Sequence, residues 1–302
     1  MTSLRVSVAG LILRNPTMLA SGIMGETGGL LLRAAQAGAG AVVTKSIGAE
    51  PRQGHSNPTV VDLRYGYLNA MGLPNPGIDA FGEEIREALG GGIPVIGSVY
   101  ASDVREFSFL AKRMEDYGAA AVELNLSCPH ASGYGMEMGV DPVKVREIVL
   151  GVKSSVKIPV LAKLTPNTHR ILEIGEAVQD AGGDGVVAIN TLKAMSVSID
   201  LRAPVLSNVH GGLSGPAVKP VGIRCVYDLY DTLDIPIIGV GGIETWRDAV
   251  EYLMAGATAV QVGSAIGRKG VGVFRRICSG IERYLLENEL SAVEELVGIA
   301  HE

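Results

Sequence analysis

A cysteine at the end of an apolar strand is the first candidate for chemistry. The segment from Glu123 to Leu126 has the alternation of a β-strand, and Ser127, Cys128 and a proline follow it directly. Residues 131–135 are Ala-Ser-Gly-Tyr-Gly, which is typical of a loose loop. A thiol at a strand mouth beneath such a loop suits proton transfer. A lone cysteine is more often a small buried apolar side chain. Whether Cys128 is catalytic therefore depends on which residues lie at the other strand ends.

Those other strand ends carry polar residues or glycine, although the strands themselves are apolar. In chain order they are Ser21-Gly22, Lys45-Ser46, Ser98, Asn125 to Cys128, Lys163, Asn190-Thr191, Gly241-Gly242 and Gly263-Ser264. Strand ends that only exit to solvent would not collect two lysines, two asparagines and a cysteine. Both lysines follow apolar runs, which predicts buried stems with the amines directed at one shared mouth.

The last two of these ends predict a phosphate site. Backbone N–H groups exposed at Gly241-Gly242 and Gly263-Ser264 could form a nest for an anion. The alternative is that both are merely tight turns between strand and helix. No G-x-G-x-x-G, P-loop or H-E-x-x-H motif occurs in the chain, and no metal site is predicted.

A repeating pattern of apolar runs and helix-period segments must position these residues. The predicted strands are 17–21, 41–46, 94–99, 121–126, 159–164, 185–190, 236–241 and 259–263, and predicted helices include 103–117, 143–155, 171–181 and 245–255. Buried strands separated by helices indicate a parallel sheet. Eight such units in this length favour a (β/α)₈ TIM barrel of class α/β over a doubly wound sheet. We expect one domain, 1–302, with a short N-terminal β-hairpin at residues 4–13 and long βα-loop insertions.

The longest insertion runs from Gly48 to Asp79, and no clear element can be read in it. A loop of this length is often functional. Asn69 and Asn75 flank a Met-Gly-Leu stretch and could hydrogen-bond a flat polar ring, although Asn and Pro-Gly are also ordinary turn formers.

Composition excludes several classes of protein. The chain has 302 residues, of which 47% are hydrophobic, and its net charge is −6 without a basic block, so a nucleic-acid partner is not expected. The three widely spaced cysteines fit neither a disulfide framework nor a zinc site. The N-terminus has no signal-peptide pattern, and no apolar run suits a membrane span. We therefore expect a cytoplasmic protein.

Several short motifs, taken together and in order, resemble one family. They are Ala20-Ser21-Gly22, Thr44-Lys45-Ser46, Asn69 to Leu73, Asn125 to Pro129, Lys163, Asn190-Thr191, Gly212 to Pro216, Gly239 to Gly242 and Val262 to Ser264. The chain resembles the FMN-dependent dihydroorotate dehydrogenases of class 1 over nearly its whole length. Cysteine at position 128 and the missing N-terminal membrane helix favour class 1, and 69–73 with 212–220 look closer to type 1B. Ser264 stands where the family more often has Thr.

The resemblance implies a set of site residues. FMN would be bound by Ser21, Lys45, Ser46, Ser98, Asn125, Lys163, Ile189, Gly215, Gly241, Gly242, Gly263 and Ser264. The substrate would contact Lys45, Asn69, Ala70, Met71, Gly72, Leu73, Asn125, Asn190 and Thr191. Cys128 would be the catalytic base.

The resemblance also implies the reaction and the partners. (S)-Dihydroorotate would be oxidised to orotate in pyrimidine (UMP) biosynthesis: Cys128 would remove the C5 proton, FMN N5 would take the C6 hydride, and Lys163 would stabilise negative charge near N1. A homodimer would join an FAD and 2Fe–2S electron-transfer subunit as a heterotetramer and pass electrons to NAD. Fumarate and quinone remain alternative acceptors.

Three other functions stay open on the sequence. Another flavin barrel could reduce pyrimidines. A Schiff-base aldolase could use Lys45 or Lys163 on a phosphorylated sugar. A ligand-binding or scaffold barrel would do no chemistry, although a binder gains little from an oxidisable thiol at position 128.

Overall fold

The computed structural model describes residues 2–126 and 138–301. In chain order the strands are β1 (Val6–Val8), β2 (Leu11–Leu13), β3 (Thr17–Leu19), β4 (Ala41–Val43), β5 (Val60–Leu63), β6 (Gly66–Asn69), β7 (Val95–Val99), β8 (Ala121–Asn125), β9 (Val160–Leu164), β10 (Gly185–Ala188), β11 (Leu192–Ala194), β12 (Val197–Ser198), β13 (Ala203–Pro204), β14 (Gly211–Ser214), β15 (Ile237–Val240) and β16 (Ala259–Val262). The parallel strands β3-β4-β7-β8-β9-β10-β15-β16 form a closed barrel. The predicted (β/α)₈ barrel is confirmed, with each strand starting or ending within three residues of its predicted bounds.

Helices surround the barrel. They span Gly28–Gln36, Ile78–Leu89, Val104–Asp116, Pro142–Ser155, Ile171–Asp180, Lys219–Tyr230, Trp246–Met254, Ala265–Lys269 and Val273–Glu287, with 3₁₀ turns at Pro216–Val218, Val293–Leu296 and Ile299–His301. Their starts follow sequence signals: the Asp103 side chain accepts from two N–H groups of the first turn, and Thr245 forms a capping box with Asp248. None of these helices combines the length and apolar character that a membrane crossing requires.

One hydrophobic core lies between the barrel and its helices. Strands β7 and β9 are buried along their whole length. The helix Val104–Asp116 packs on β7 and β8, and its Phe107, Leu110 and Met114, at helical spacing, are all fully buried. Burial of each such side chain stabilises the fold by roughly 1.5–3 kcal/mol. The barrel therefore provides a rigid base for the residues at its strand ends.

The predicted N-terminal hairpin is confirmed. Strands β1 and β2 pair antiparallel with Val6 opposite Leu13. The two turn residues, Ala9 and Gly10, both have positive φ, as a tight two-residue hairpin turn requires.

A second sheet lies outside the barrel, and it corrects the prediction that residues 48–79 form no element. Its strands are β11, β14, β6 and β5 in that order. The prediction was wrong because this sheet depends on a distant partner: β6 pairs with β14, and Asn69 lies opposite Gly212. Strands this short show little periodicity of their own, so the pairing is not visible locally.

Candidate functional site

A cavity of about 570 Å³ opens at the carboxyl ends of the barrel strands. Every barrel strand except β7, or the residues just after it, contributes to its lining. The antiparallel sheet supplies further lining residues from all four of its strands, β5, β6, β11 and β14. The predicted residues that line it are Ser21, Lys45, Ser46, Asn69, Met71, Gly72, Leu73, Asn125, Lys163, Ile189, Asn190, Thr191, Gly215, Gly241, Gly242, Gly263 and Ser264. The volume is in the usual range for a small-molecule site.

Two of the predicted site residues that the structure describes do not line the cavity. Ser98 is fully buried on β7 behind Ser46. Ala70 is buried with Leu68 and Leu206 in a small separate cluster. Cys128, the predicted base, lies outside the described residues, as does most of the loop that follows it.

Asn75 also differs from the prediction that it offers its amide to a ring. Its side chain accepts from the N–H groups of Gly48 and Gly77 and donates to the Tyr100 hydroxyl at 2.9 Å. The amide therefore holds its own loop in place, and Asn75 does not line the cavity.

Ser46 connects the polar side chains on one wall of the cavity. Its Oγ lies 2.9 Å from the Ser98 Oγ and 3.3 Å from the Ser21 Oγ, and it accepts from the Asn125 side chain at 3.0 Å. Asn190 in turn donates to the Asn125 Oδ1 at 3.4 Å. This network orders the hydroxyls and amides of five barrel strands or their ends before any ligand arrives.

Lys45 and Lys163 are both buried, with relative exposures of 5% and 6%. Burial lowers the pKa of Lys45, and Glu26, whose carboxylate is 3.7 Å away, partly offsets this effect. The Lys163 Nζ lies 3.4 Å from the Glu123 carboxylate and 3.1 Å from the Gln261 side-chain oxygen. Two amines thus face a cavity whose walls also offer hydroxyls and amides, which suits a polar, anionic ligand.

We expect Lys45→Met to stabilise the ligand-free protein near pH 7 by about 1 kcal/mol, since it removes a charge that burial disfavours. A lowered pKa in the folded state means that the unfolded state binds more protons. Wild-type stability therefore rises with pH between that lowered pKa and the ordinary lysine value. The advantage of Lys45→Met should shrink over this range. Urea unfolding at about pH 7 and about pH 10 measures it, and an equal advantage at both values would contradict the assignment.

Glycines form the opposite wall. Gly215, Gly241 and Gly242 all have positive φ, at 98°, 133° and 71°. The Tyr252 hydroxyl donates to the Gly241 carbonyl oxygen at 2.8 Å, and burial raises the pKa of Tyr252, so this donor stays protonated. A Cβ at Gly263 would meet only the Ala20 Cβ, at 3.4 Å. Bare backbone therefore faces the cavity, as an anion nest requires.

Gly242→Ala should destabilise the protein by about 3 kcal/mol, against about 1 kcal/mol for Gly182→Ala. Both positions have similar positive φ. A Cβ at position 242 would lie 2.8 Å from the Gly215 carbonyl oxygen, whereas nothing lies within 4 Å of one at position 182. The difference between the two losses of stability therefore measures how closely the backbone at position 242 approaches the backbone at Gly215. Urea unfolding of both variants measures it, and equal losses would refute the close-packing argument.

The cavity includes residues that the sequence reasoning did not single out. The polar ones are Tyr67, Asn167, Lys193, His210 and Gln261. Gln261 had a local signal, because it is a polar residue inside the apolar run of β16. Asn167 had a weaker one, two residues after a buried threonine that follows β9. Lys193 and His210 come from β11 and the segment before β14, whose pairing is not visible locally.

Comparison with known proteins identifies relatives over nearly the full length. The family model described as "Dihydroorotate dehydrogenase" matches residues 3–285. The chain is 53% identical over 295 residues to "Dihydroorotate dehydrogenase B (NAD(+)), catalytic subunit" of Methanocella arvoryzae, covering 98% of this chain and 97% of that protein. The protein of the same name from Pyrococcus abyssi is 54% identical over 297 residues, with 98% and 99% covered.

A solved structure has the same fold. It is the crystal structure of DHODH from Eimeria tenella in complex with ferulenol, which superimposes with a TM-score of 0.86. The match covers 99% of this chain and 88% of the other, at 22% sequence identity. At this identity the likeness concerns the barrel and its insertions.

Proposed function

The chain belongs to the dihydroorotate dehydrogenase family, class 1B, and we propose that it oxidises (S)-dihydroorotate to orotate with FMN as its cofactor. The observation that carries the proposal is the convergence of residues from nearly all barrel strand ends on one cavity. Two buried lysines, four asparagines and nine glycines meet there.

The residues present fit FMN. A phosphate needs bare backbone, which Gly215, Gly241, Gly242 and Gly263 offer in the cavity lining; beside Gly263 a Cβ would find only the Ala20 Cβ within 4 Å. A flavin ring needs hydrogen-bond donors and a cation along its polar edge, which Ser21, Lys45, Ser46, Asn125 and Lys163 would supply. Ile189 would add an apolar contact. Ser264 would place its hydroxyl at the phosphate, and Ser98 would act through Ser46.

When bound, FMN would supply the acceptor for the hydride that leaves C6 of the substrate. The chain's own residues would bind and orient the substrate and move its proton. Asn69, Asn125 and Asn190 can pair with a planar ring that carries both donors and acceptors. The Asn69 side chain is already oriented, because it donates to the Gly212 carbonyl oxygen at 3.2 Å. Backbone groups of 70–73 and the Thr191 hydroxyl would complete the substrate contacts.

The proton at C5 needs a base, and we propose that the Cys128 thiolate accepts it at Sγ. Lys45 would hold the substrate carboxylate, since a buried ammonium that has lost part of its hydration gains most from an anionic partner. Lys163 would place its positive charge where negative charge develops on the reduced cofactor. The sheet of β11, β14, β6 and β5 would cover the mouth and limit water access.

We propose that the electrons leave to NAD through a partner subunit that carries FAD and a 2Fe–2S cluster, in a heterotetramer built on a homodimer. The words "NAD(+)" and "catalytic subunit" in the names of the relatives support a partner of this kind. Co-purification of an iron-containing second chain with the native protein is the test. A native preparation that reduces NAD without a second chain would refute the partner.

Anaerobic mixing of the purified protein with dihydroorotate tests the reaction. We expect a yellow protein whose flavin absorbance bleaches with dihydroorotate and not with dihydrouracil. A colourless protein that takes up no FMN would overturn the proposal. Bleaching by dihydrouracil alone would favour a different pyrimidine oxidoreductase, and borohydride trapping of a sugar phosphate on Lys45 or Lys163 would favour an aldolase.

A further inference from the structure

A closed ring of three polar side chains lies in the barrel interior beneath the cavity. The Lys163 Nζ is 3.4 Å from the Glu123 Oε1 and 3.1 Å from the Gln261 Oε1. The ring closes where the Gln261 Nε2 donates to the Glu123 Oε2 at 2.6 Å. The Glu123 side chain is 0% exposed and Gln261 is 1% exposed. Lys163 and Gln261 line the cavity, whereas Glu123 lies beneath it.

The strand register explains this layering. Asn125 lies directly opposite Lys163 across β8 and β9, and Glu123 lies two pairs deeper, opposite Leu161. Residues 123 and 125 face the same side of β8, because side chains alternate along a strand. Lys163 therefore directs its amine toward the deeper layer, to the carboxylate two residues below Asn125. Gln261 approaches the same carboxylate from β16.

Fold stability does not account for the ring. The inside of a barrel of this type is normally filled by branched apolar side chains. A buried carboxylate and ammonium lose hydration that their attraction only partly repays, and well-packed apolar residues are often as stable or more so. Glu123 has no neighbour in the described part of the chain that needs its charge except Lys163. Gln261 uses its oxygen toward the cation and its N–H toward the anion, so it fixes both ends of the pair.

We propose that Glu123 and Gln261 are positioning residues: they hold the Lys163 ammonium at the cavity floor and set the net charge that the bound flavin meets. The inference rests on the proposed function for the identity of the ligand. The ring as built is neutral, with one positive and one negative charge. The net charge of the ring determines how strongly the site favours the reduced, anionic form of a flavin over the oxidised form.

Charge exchange within the ring tests this. Glu123→Gln leaves the ammonium without its counter-charge and should favour reduced flavin about tenfold, a rise in midpoint potential of about 30 mV for a two-electron couple. Gln261→Glu places a second carboxyl group of almost unchanged shape beside Glu123, and two carboxylates this close share one proton. The variants are therefore compared at a pH high enough to remove that proton, where Gln261→Glu should lower the potential by a similar amount. The double variant E123Q/Q261E exchanges the carboxylate and the amide and should return close to the wild-type potential.

Asp184→Asn is the matched control. Asp184 forms an ion pair with Lys153 at 2.7 Å and accepts from the Val160 N–H, at the opposite end of β9 from Lys163. The Asp184→Asn variant also loses a carboxylate that is paired with a lysine. It should therefore lower the free energy of unfolding without changing the midpoint potential of the flavin. Opposite shifts in the two single variants, with the control unchanged, support the proposal. Shifts of the same sign, or none in either, overturn it.

A second readout needs no flavin. Acylation of Lys163 by a small amine-reactive ester, followed by mass spectrometry, should be about tenfold faster in E123Q and slower in Q261E, because a carboxylate beside an ammonium opposes its deprotonation. If the wild type binds no FMN, the proposed function fails, and these rates alone decide the positioning role: equal rates in all variants refute it. If E123Q does not fold, the downward potential shift and slower acylation of Q261E decide it.

Discussion

Cys128→Ser is expected to retain bound flavin and lose about 10³-fold in the rate of flavin reduction by dihydroorotate at pH 7. General base catalysis typically contributes 10²–10⁴-fold. A thiol with an ordinary pKa near 8.5 reaches its basic form close to working pH, whereas an alcohol does not. Part of the loss should return at high pH. Anaerobic stopped-flow measurement of flavin bleaching across pH gives the result directly.

Cys278→Ser is the control for this experiment. Cys278 is partly buried on the helix Val273–Glu287, lies 3.7 Å from the Thr17 hydroxyl, and does not line the cavity. Burial raises the pKa of its thiol, so it is a poor base. Cys278→Ser should keep the wild-type rate and pH profile. A Cys128→Ser enzyme that turns over normally at pH 7 would remove Cys128 from the mechanism.

The barrel was predictable because its signals are local. Each barrel strand is a short apolar run, and residues such as Asp103 and Thr245 mark helix starts within a few positions. The placement of Lys45 and Lys163 in the cavity lining followed from the same logic, because both lie at the carboxyl ends of buried barrel strands. The contact of the Lys163 amine with the deeper Glu123 did not follow from it. These predictions needed no knowledge of which strands are neighbours.

The remaining features depend on pairing between distant segments. The sheet over the cavity joins Asn69 to Gly212, which are 143 positions apart in the chain. Glu123 and Gln261 are 138 positions apart. Each residue alone is a polar exception in an apolar strand, and the sequence around it does not indicate that both contact Lys163. Asn75 shows the opposite error, since an amide suited to a ligand is used to hold a loop.

Lys163→Met should slow flavin reduction about 10²–10³-fold, since removing one group that stabilises developing negative charge costs this much in comparable sites. It should also destabilise the protein by about 3 kcal/mol, because the buried Glu123 carboxylate loses its cation and, among the described residues, keeps only Gln261 as a partner. The two effects have different origins, so a second substitution can separate them. Stopped-flow bleaching and urea unfolding measure them independently.

The double variant Lys163→Met with Glu123→Gln makes that separation. It removes both charges, so most of the lost stability should return, since two neutral groups can pack or hydrogen-bond without an uncompensated ion. The reduction rate should stay low, because no cation remains at the cavity floor. Recovery of the rate together with stability would mean that Lys163 only supports the fold. A folded, flavin-loaded Lys163→Met enzyme with the wild-type reduction rate would exclude Lys163 from the reaction altogether.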